Sequence, residues 1–267
     1  MKHIICYSGG HASALVAIAV VQKYGTEDVV LVNHDICGNV EDEDIKRFKR
    51  EVAHYLGLPI TYANMHEWEH KDQFDVCIEA KAFKTKDIPA ICTNRLKTAP
   101  FMEYLKTIDE DLIAYYGFDV SEPKRIDRRS RIMSRLGYKT EYPLSTWDIK
   151  IHDTREIGIE PPLRYSMFKH ANCNGCLKAG RQHWYVVYCT RPDIFQKGKE
   201  TEKIIGYSII KGVYLYELEP IFEKMKGLDI KATEHIQPQT FWSQVRNILK
   251  LDVTCNDESS RPCMCAY

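Results

Sequence analysis

Two short runs of the chain carry residue types whose spacing could do chemistry. The first is Ser8-Gly9-Gly10-His11-Ala12-Ser13, between a short apolar run and a longer apolar stretch with helical character. Two glycines can take backbone angles that let the chain approach a ligand closely. The free N–H groups and dipole of a helix beginning near Ala12 would favour an anion there, with Ser8 and Ser13 adding hydroxyls. The second run is Cys173-Asn174-Gly175-Cys176, two thiols with a glycine that allows the turn aiming both at one centre. Thiolates suit zinc and iron–sulfur clusters equally, and a redox disulfide is a third reading. A thioredoxin-like motif belongs at a strand-to-helix junction early in its domain, which is not this context. His170, three residues before Cys173, and the upstream Cys92 could complete a zinc site.

The chain as a whole narrows these options. Its 267 residues carry 37 basic and 37 acidic side chains, so bulk charge gives no argument for nucleic acid. Hydrophobic and charged fractions of 44% and 28% are ordinary for a soluble globular protein. The apolar N-terminus is broken by Tyr7-Ser8-Gly9-Gly10-His11, which leaves no signal-peptide core, and the longest apolar run, 14–21, cannot span a bilayer. A cytoplasmic protein without a membrane segment is the expectation. In that setting ten cysteines read as metal, cluster or redox chemistry rather than a disulfide scaffold. Cys6, Cys37, Cys77 and Cys189 sit in apolar or helical patterns and read as core, which leaves Cys92, Cys173, Cys176, Cys255, Cys263 and Cys265.

The elements that must position these residues alternate in type. Strands are expected at 3–7, 29–33, 59–63 and 112–116, and helices at 12–24, 40–56, 71–82 and 95–108. This order predicts an α/β fold, a mostly parallel sheet flanked by helices. Ligands of such sheets bind beyond the carboxyl ends of the strands. The glycine loop, His34-Asp35 and the stretch from Gly117 to Glu122 all fall at that edge. Further helices are expected at 180–188, 192–205 and 240–251, with a main domain over 1–215 and an extension over 216–267 that ends in a polar stretch read as mobile. Lys124, Arg125, Arg128, Arg129, Arg131 and Arg135 form a basic helical run. It reads as a solvated face or phosphate-binding residues, with a tracked polynucleotide backbone as the alternative. His183, Trp184 and Tyr185 read as core beside the knuckle, not as ligands.

The segment Cys92-Thr93-Asn94-Arg95-Leu96-Lys97-Thr98-Ala99-Pro100, followed downstream by C-x-x-C, resembles the sulfonucleotide (PAPS/APS) reductase branch of the PP-loop, or adenine nucleotide α-hydrolase-like, superfamily. The resemblance runs from Ser8 to about Tyr188. It includes Tyr116-Gly117-Phe118 with Glu122 and Arg125, and Tyr142-Pro143-Leu144 with Trp147, which is similar to the family's Asn-Pro-Leu and tryptophan segment. Cys92 matches the first cysteine of the family's pair, and Thr93 replaces the second.

The resemblance implies that Ser8, Gly9, Gly10 and Ser13 bind phosphate or sulfate oxygens of an adenine nucleotide (PAPS, APS or ATP). His11, Asp35 and Gly117 would complete that site, and Lys97 and Arg125 would neutralise substrate or cluster charge. Cys92, Cys173 and Cys176 would hold a [4Fe-4S] cluster, with zinc as the alternative, leaving one iron without a cysteine from this motif. Where ATP-using members read Ser-Gly-Gly-x-Asp-Ser, Ala12 offers no oxygen to Mg²⁺, which favours a sulfonucleotide-type site. A protonated His11 beside the phosphate could compensate in part. Branch reductases attack the sulfate sulfur with a thiolate from a C-terminal tail, and Cys265 or Cys263 could serve here, with a thiol reductant such as thioredoxin resolving the thiosulfonate. Three readings stay open: a reductase-like enzyme, an ATP-dependent sulfurtransferase thiolating a nucleic-acid base, and a silent nucleotide-binding module. A homodimer is open as well.

Overall fold

A computed structural model describes residues 1–36, 40–86, 88 and 90–249. Five strands form one all-parallel sheet: β1 (Lys2–Cys6), β2 (Val29–Asn33), β3 (Ile60–Tyr62), β4 (Leu112–Tyr115) and β5 (Lys139–Glu141). Their order is β3-β2-β1-β4-β5. The chain therefore runs outward from β1 in one direction, then crosses to β1's other side at β4. The crevice between the ends of β1 and β4 is where such sheets accept ligands.

Alternation along β1 builds the two faces. Ile5 and Tyr7 face a layer with Val16, Val20, Phe48 and Val52, from α1 (His11–Tyr24) and α2 (Glu43–Leu56). Ile4 and Cys6 face Phe101, Leu105 and Met133 on the opposite side. Those residues belong to α5 (Ala99–Lys106) and α6 (Pro123–Arg135). Both layers leave the β1 strand buried, as its unbroken apolar run requires.

A third core lies beyond the sheet. It gathers Phe74 and Cys77 of α3 (Gln73–Glu79) with Trp184 of α8 (Arg181–Thr190) and Phe195 of α9 (Pro192–Ile205). Phe222 of α10 (Leu215–Gly227) and Phe241 of α11 (Pro238–Leu249) join the same cluster, so residues on both sides of position 215 share one core.

Several boundaries differ from the sequence expectation for local reasons. Helix α2 starts at Glu43 because Asp42 caps it, accepting from the Asp44 N–H at 3.0 Å. Asp72 and Asp75 form a capping box that starts α3 at Gln73. The stretch expected as one helix over 95–108 is α4 (Ile91–Thr93), a π-helical segment Asn94–Thr98, then α5. Strand β5 and helix α10 were not foreseen. The first is a short polar edge strand, and the second carries Pro220 within it. Among the described residues no helix is long and apolar enough to cross a membrane.

Candidate functional site

The glycine loop is shaped from three sides. Gly9 has a φ of 81°, and a Cβ on it would lie 2.7 Å from the Lys49 side chain. Gly117, after β4, packs against the first turn of α1, where its Cβ would stand 3.1 Å from the Ala12 carbonyl carbon. On the third side Tyr165 covers Gly10, and its hydroxyl oxygen accepts from the His11 N–H at 3.0 Å. Within the loop the Ser13 hydroxyl donates to the Gly10 carbonyl at 2.8 Å, and Ser8 donates to Ser13 at 3.3 Å. The loop thus sits at the β1–β4 crevice with Gly117 directly behind it.

His11 is held by a second contact across the loop. Its Nε2 accepts from the Thr154 N–H at 3.2 Å, and burial pulls its pKa below the ordinary value despite Asp153 nearby. In this arrangement Nε2 is engaged by a protein N–H, with the Asp153 carboxylate 3.7 Å away. Asp35 is exposed at the end of β2. Its carboxylate pairs with Lys46 at 3.0 Å, and its backbone is held by Asn64 through two hydrogen bonds. Arg125 reaches the β4 edge, but its guanidinium is ion-paired with Glu122 and stacked 4.3 Å over the Phe118 ring.

Behind the loop lies a buried ion pair. Lys49 Nζ stands 3.0 Å from both Glu41 carboxylate oxygens and 3.0 Å from Asn33 Oδ1. Asn33 in turn donates to the Tyr7 carbonyl. Burial lowers the Lys49 pKa and raises that of Glu41, each opposed by the partner's charge. Next to this pair His34 is buried against the Ala63 carbonyl, and desolvation drives its pKa down to about 3, with Lys97 and Lys49 adding to the effect.

Cys92, Cys173 and Cys176 line one small cavity together with Lys97, Lys178 and Gln73. Cys92 and Lys97 are five residues apart, a spacing that points away from a common side on an α-helix. Both line the cavity nonetheless, Cys92 from α4 and Lys97 from the π segment that follows it, in keeping with the frequent use of π turns at functional sites. The knuckle is fixed through its backbone. Gln73 Nε2 donates to the Asn174 carbonyl at 2.7 Å, and the Asn174 N–H donates to Val40 at 2.8 Å. The Cys176 N–H donates to His183 Nε2 at 3.1 Å, so the proton of that ring sits on Nδ1, 2.6 Å from Glu234. Gly175 has a φ of 68°, and a Cβ on it would meet Ile194 at 2.6 Å.

The thiols differ in character. A hydrogen bond from the Cys77 thiol, helped by the charges of Lys178 and Lys97, holds the Cys92 pKa well below the usual thiol value. Burial pushes Cys173 up to about 11 and raises Cys176. All are free thiols. His170 does not line this cavity, so the structure does not bring it into a shared site with the cysteines. Among the described residues no three His, Cys, Asp or Glu side chains converge closely enough to hold a single metal ion. The thiols share a cavity without sharing a coordination point.

Sequence reasoning missed five contributors. Cys77 read only as core, yet it touches Cys92 and stands one helical turn beyond Gln73 on the same face, a spacing that was readable. Lys178, two residues past Cys176, was equally readable. Lys49, Glu41 and Arg164 gave no signal, because their importance depends on burial that only the fold creates. The proposed nucleophiles Cys263 and Cys265, like Cys255 and Cys37, lie outside the described residues. No family model matches the chain, and neither the curated proteins nor the solved structures contain a match to it.

Proposed function

We propose that this is a PP-loop protein similar to the sulfonucleotide reductases, which binds the phosphate or phosphosulfate of an adenine nucleotide at residues 8–13 and performs sulfur chemistry beside a [4Fe-4S] cluster. The observation that carries this reading is the cavity itself, lined by three free thiols and two lysines; Ala171, two residues before Cys173, lies 3.5 Å from where a Cβ on Gly10 would stand, at the switch point of a parallel sheet.

The donor set fits a thiolate-held group. Soft thiolates bind iron–sulfur clusters, and nearby ammonium groups offset the negative charge that such a centre accumulates. Cys92, Cys173 and Cys176 would hold it, with Gln73, His183 and Glu234 fixing the backbone and orientation around them. A cluster there would supply a soft, electron-rich centre beside the substrate's sulfur.

The chain's own residues do the rest. The α1 N-terminus and the Ser8 and Ser13 hydroxyls would take oxyanion oxygens. Lys97, on the cavity wall, would face the charge between nucleotide and cluster. Ala12 is exposed at the first turn of α1 and provides no carboxylate for Mg²⁺, which supports a sulfonucleotide over hydrolysed ATP. A thiolate of Cys265 or Cys263 would attack the sulfate sulfur. The new S–S bond forms as the S–O bond breaks, the nucleotide leaves, and an external dithiol releases sulfite. The free thiols among the described residues suit a reducing compartment, the cytoplasm.

Anaerobic purification with iron, sulfide and zinc assays tests the cluster, and titration with PAPS, ADP and ATP tests the loop. Iron with acid-labile sulfide and preferential PAPS binding are expected. Zinc without sulfide would remove the cluster. Gly10 has a φ of −87° that any residue can adopt, so Gly10→Val should fold while filling the cradle. Unchanged binding of all three nucleotides by that variant would remove the loop assignment.

A further inference from the structure

Arg164 has no role in the reading so far, and its setting is unusual. It lies in the 3₁₀ turn Leu163–Ser166 and is 4% exposed. All three guanidinium nitrogens are buried without a hydrogen-bond partner among the described residues. Its face rests 4.3 Å from the Phe168 ring. A guanidinium carries five donors and stays charged in proteins, so burying it without an ion-pair partner is costly.

The acids within charge range of it are committed elsewhere. Asp42 caps α2, and Glu234 is shared between His183 and the Lys169 N–H. Neither forms an ion pair with Arg164. The other charge-bearing groups in range are the Cys173 thiol and the Tyr165 phenol. Tyr165 is the next residue, and its hydroxyl oxygen occupies the His11 N–H at 3.0 Å. That N–H belongs to the first residue of a 14-residue helix, the donor an arriving anion would use.

One turn therefore does two things. It caps the loop with the Tyr165 hydroxyl oxygen, and it holds an unpaired guanidinium within charge range of that same phenol and of the Cys173 thiol. We propose that Arg164 clamps a tetrahedral oxyanion, a phosphate or sulfate group, which takes the His11 N–H in place of Tyr165. This rests on the loop being an anion site, but not on the cluster or on the nucleoside. Phosphate and sulfate oxygens match the planar fork of a guanidinium through paired hydrogen bonds.

Two variants should move binding in opposite directions. Arg164→Met keeps the volume and removes the unpaired charge. Its sulfate, pyrophosphate and PAPS affinities should fall at least tenfold, while its ligand-free melting temperature stays level or rises. Tyr165→Phe removes the competing oxygen and should bind the same probes several-fold more tightly. A purely structural Arg164 would show the reverse pattern: a lower melting temperature and unchanged affinity in the folded protein, which would overturn the proposal. Loss of binding in Gly10→Val with none in Arg164→Met would leave the loop standing and remove Arg164. Wild-type protein that binds none of the probes would remove both. PAPS binding that depends on Arg164 without any response to inorganic sulfate or pyrophosphate would identify the esterified group as the source of the oxyanion.

Discussion

The loop after β1 and the knuckle at Cys173 are both glycine turns, yet they are held in opposite ways. The loop is shaped from outside, by the Lys49 stem under Gly9, the Gly117 backbone behind Ala12 and Tyr165 over Gly10. Among the described residues its hydroxyls bond within the loop, and the His11 N–H bonds one phenol. The knuckle is gripped at its backbone by Gln73, Val40 and His183, and its second cysteine is buried. A turn held by packing can exchange partners with a ligand in solution. A turn whose backbone groups are already satisfied suits a resident group that does not leave.

The sharpest way to break this contrast is through the ion pair that lies behind the loop. Lys49→Met keeps apolar bulk under Gly9 but leaves Glu41 buried and unpaired. Removing one partner of such a pair costs about 3–5 kcal/mol, whereas replacing both can be nearly neutral. Urea denaturation should show a large loss for Lys49→Met and substantial recovery in Lys49→Met with Glu41→Leu. Additive losses in the double variant would mean that the pair does not couple the two positions.

Gly175→Ala comes next and strikes the knuckle alone. The added methyl must accept a left-handed backbone and a 2.6 Å approach to Ile194, together about 2–4 kcal/mol. Retention of the iron of the proposed cluster should fall, while binding of sulfate at the proposed loop site survives in the folded fraction. Equal loss of both would show that the two turns are one cooperative unit.

Much of this arrangement was legible in the sequence because it follows local rules. The β-branched run at Val29–Asn33, the Gly25 and Gly57 helix ends and the serine–glycine loop each declare themselves within a few residues. The Cys92 and C-x-x-C convergence was legible through the family resemblance, and the structure places all three on one cavity. What remained hidden depends on the environment the fold creates. Lys49 and Arg164 look like any surface cation until the fold buries them at 1% and 4% exposure. Nor does any residue in Asn94–Thr98 announce a π turn; tertiary packing selects it.

His34 lies between the two regions and supplies a pH test of moderate size. In the unfolded chain it protonates near pH 6.5. In the folded chain burial holds it neutral down to about pH 3. Between those values the unfolded state binds the extra proton, so stability present above pH 6.5 is lost as pH falls. The loss approaches about 1.4 kcal/mol per pH unit, or about 2 kcal/mol at pH 5. His3, His11 and His170 are lowered as well and push in the same direction. Urea midpoints of wild type and His34→Gln from pH 7 to pH 4 check this; an equal slope in both would clear His34 of the role.

The smallest expected effect sharpens the comparison inside the knuckle wall. Cys77 contributes a hydrogen bond that favours the Cys92 thiolate, while Cys173 and Cys176 are held protonated by burial. In metal-free, reduced protein, Cys92 should therefore be the first of the three to react with iodoacetamide near neutral pH, because the thiolate is the nucleophile. Cys77→Ala removes the donor and should slow that reaction by less than tenfold, moving its pH profile upward. Cys77→Ser keeps a donor at the same place and should restore most of the rate. If the two variants behave alike, the lysines Lys97 and Lys178 are the main support of the thiolate, and the wall's charge rather than its sulfur contact distinguishes Cys92 from the knuckle pair.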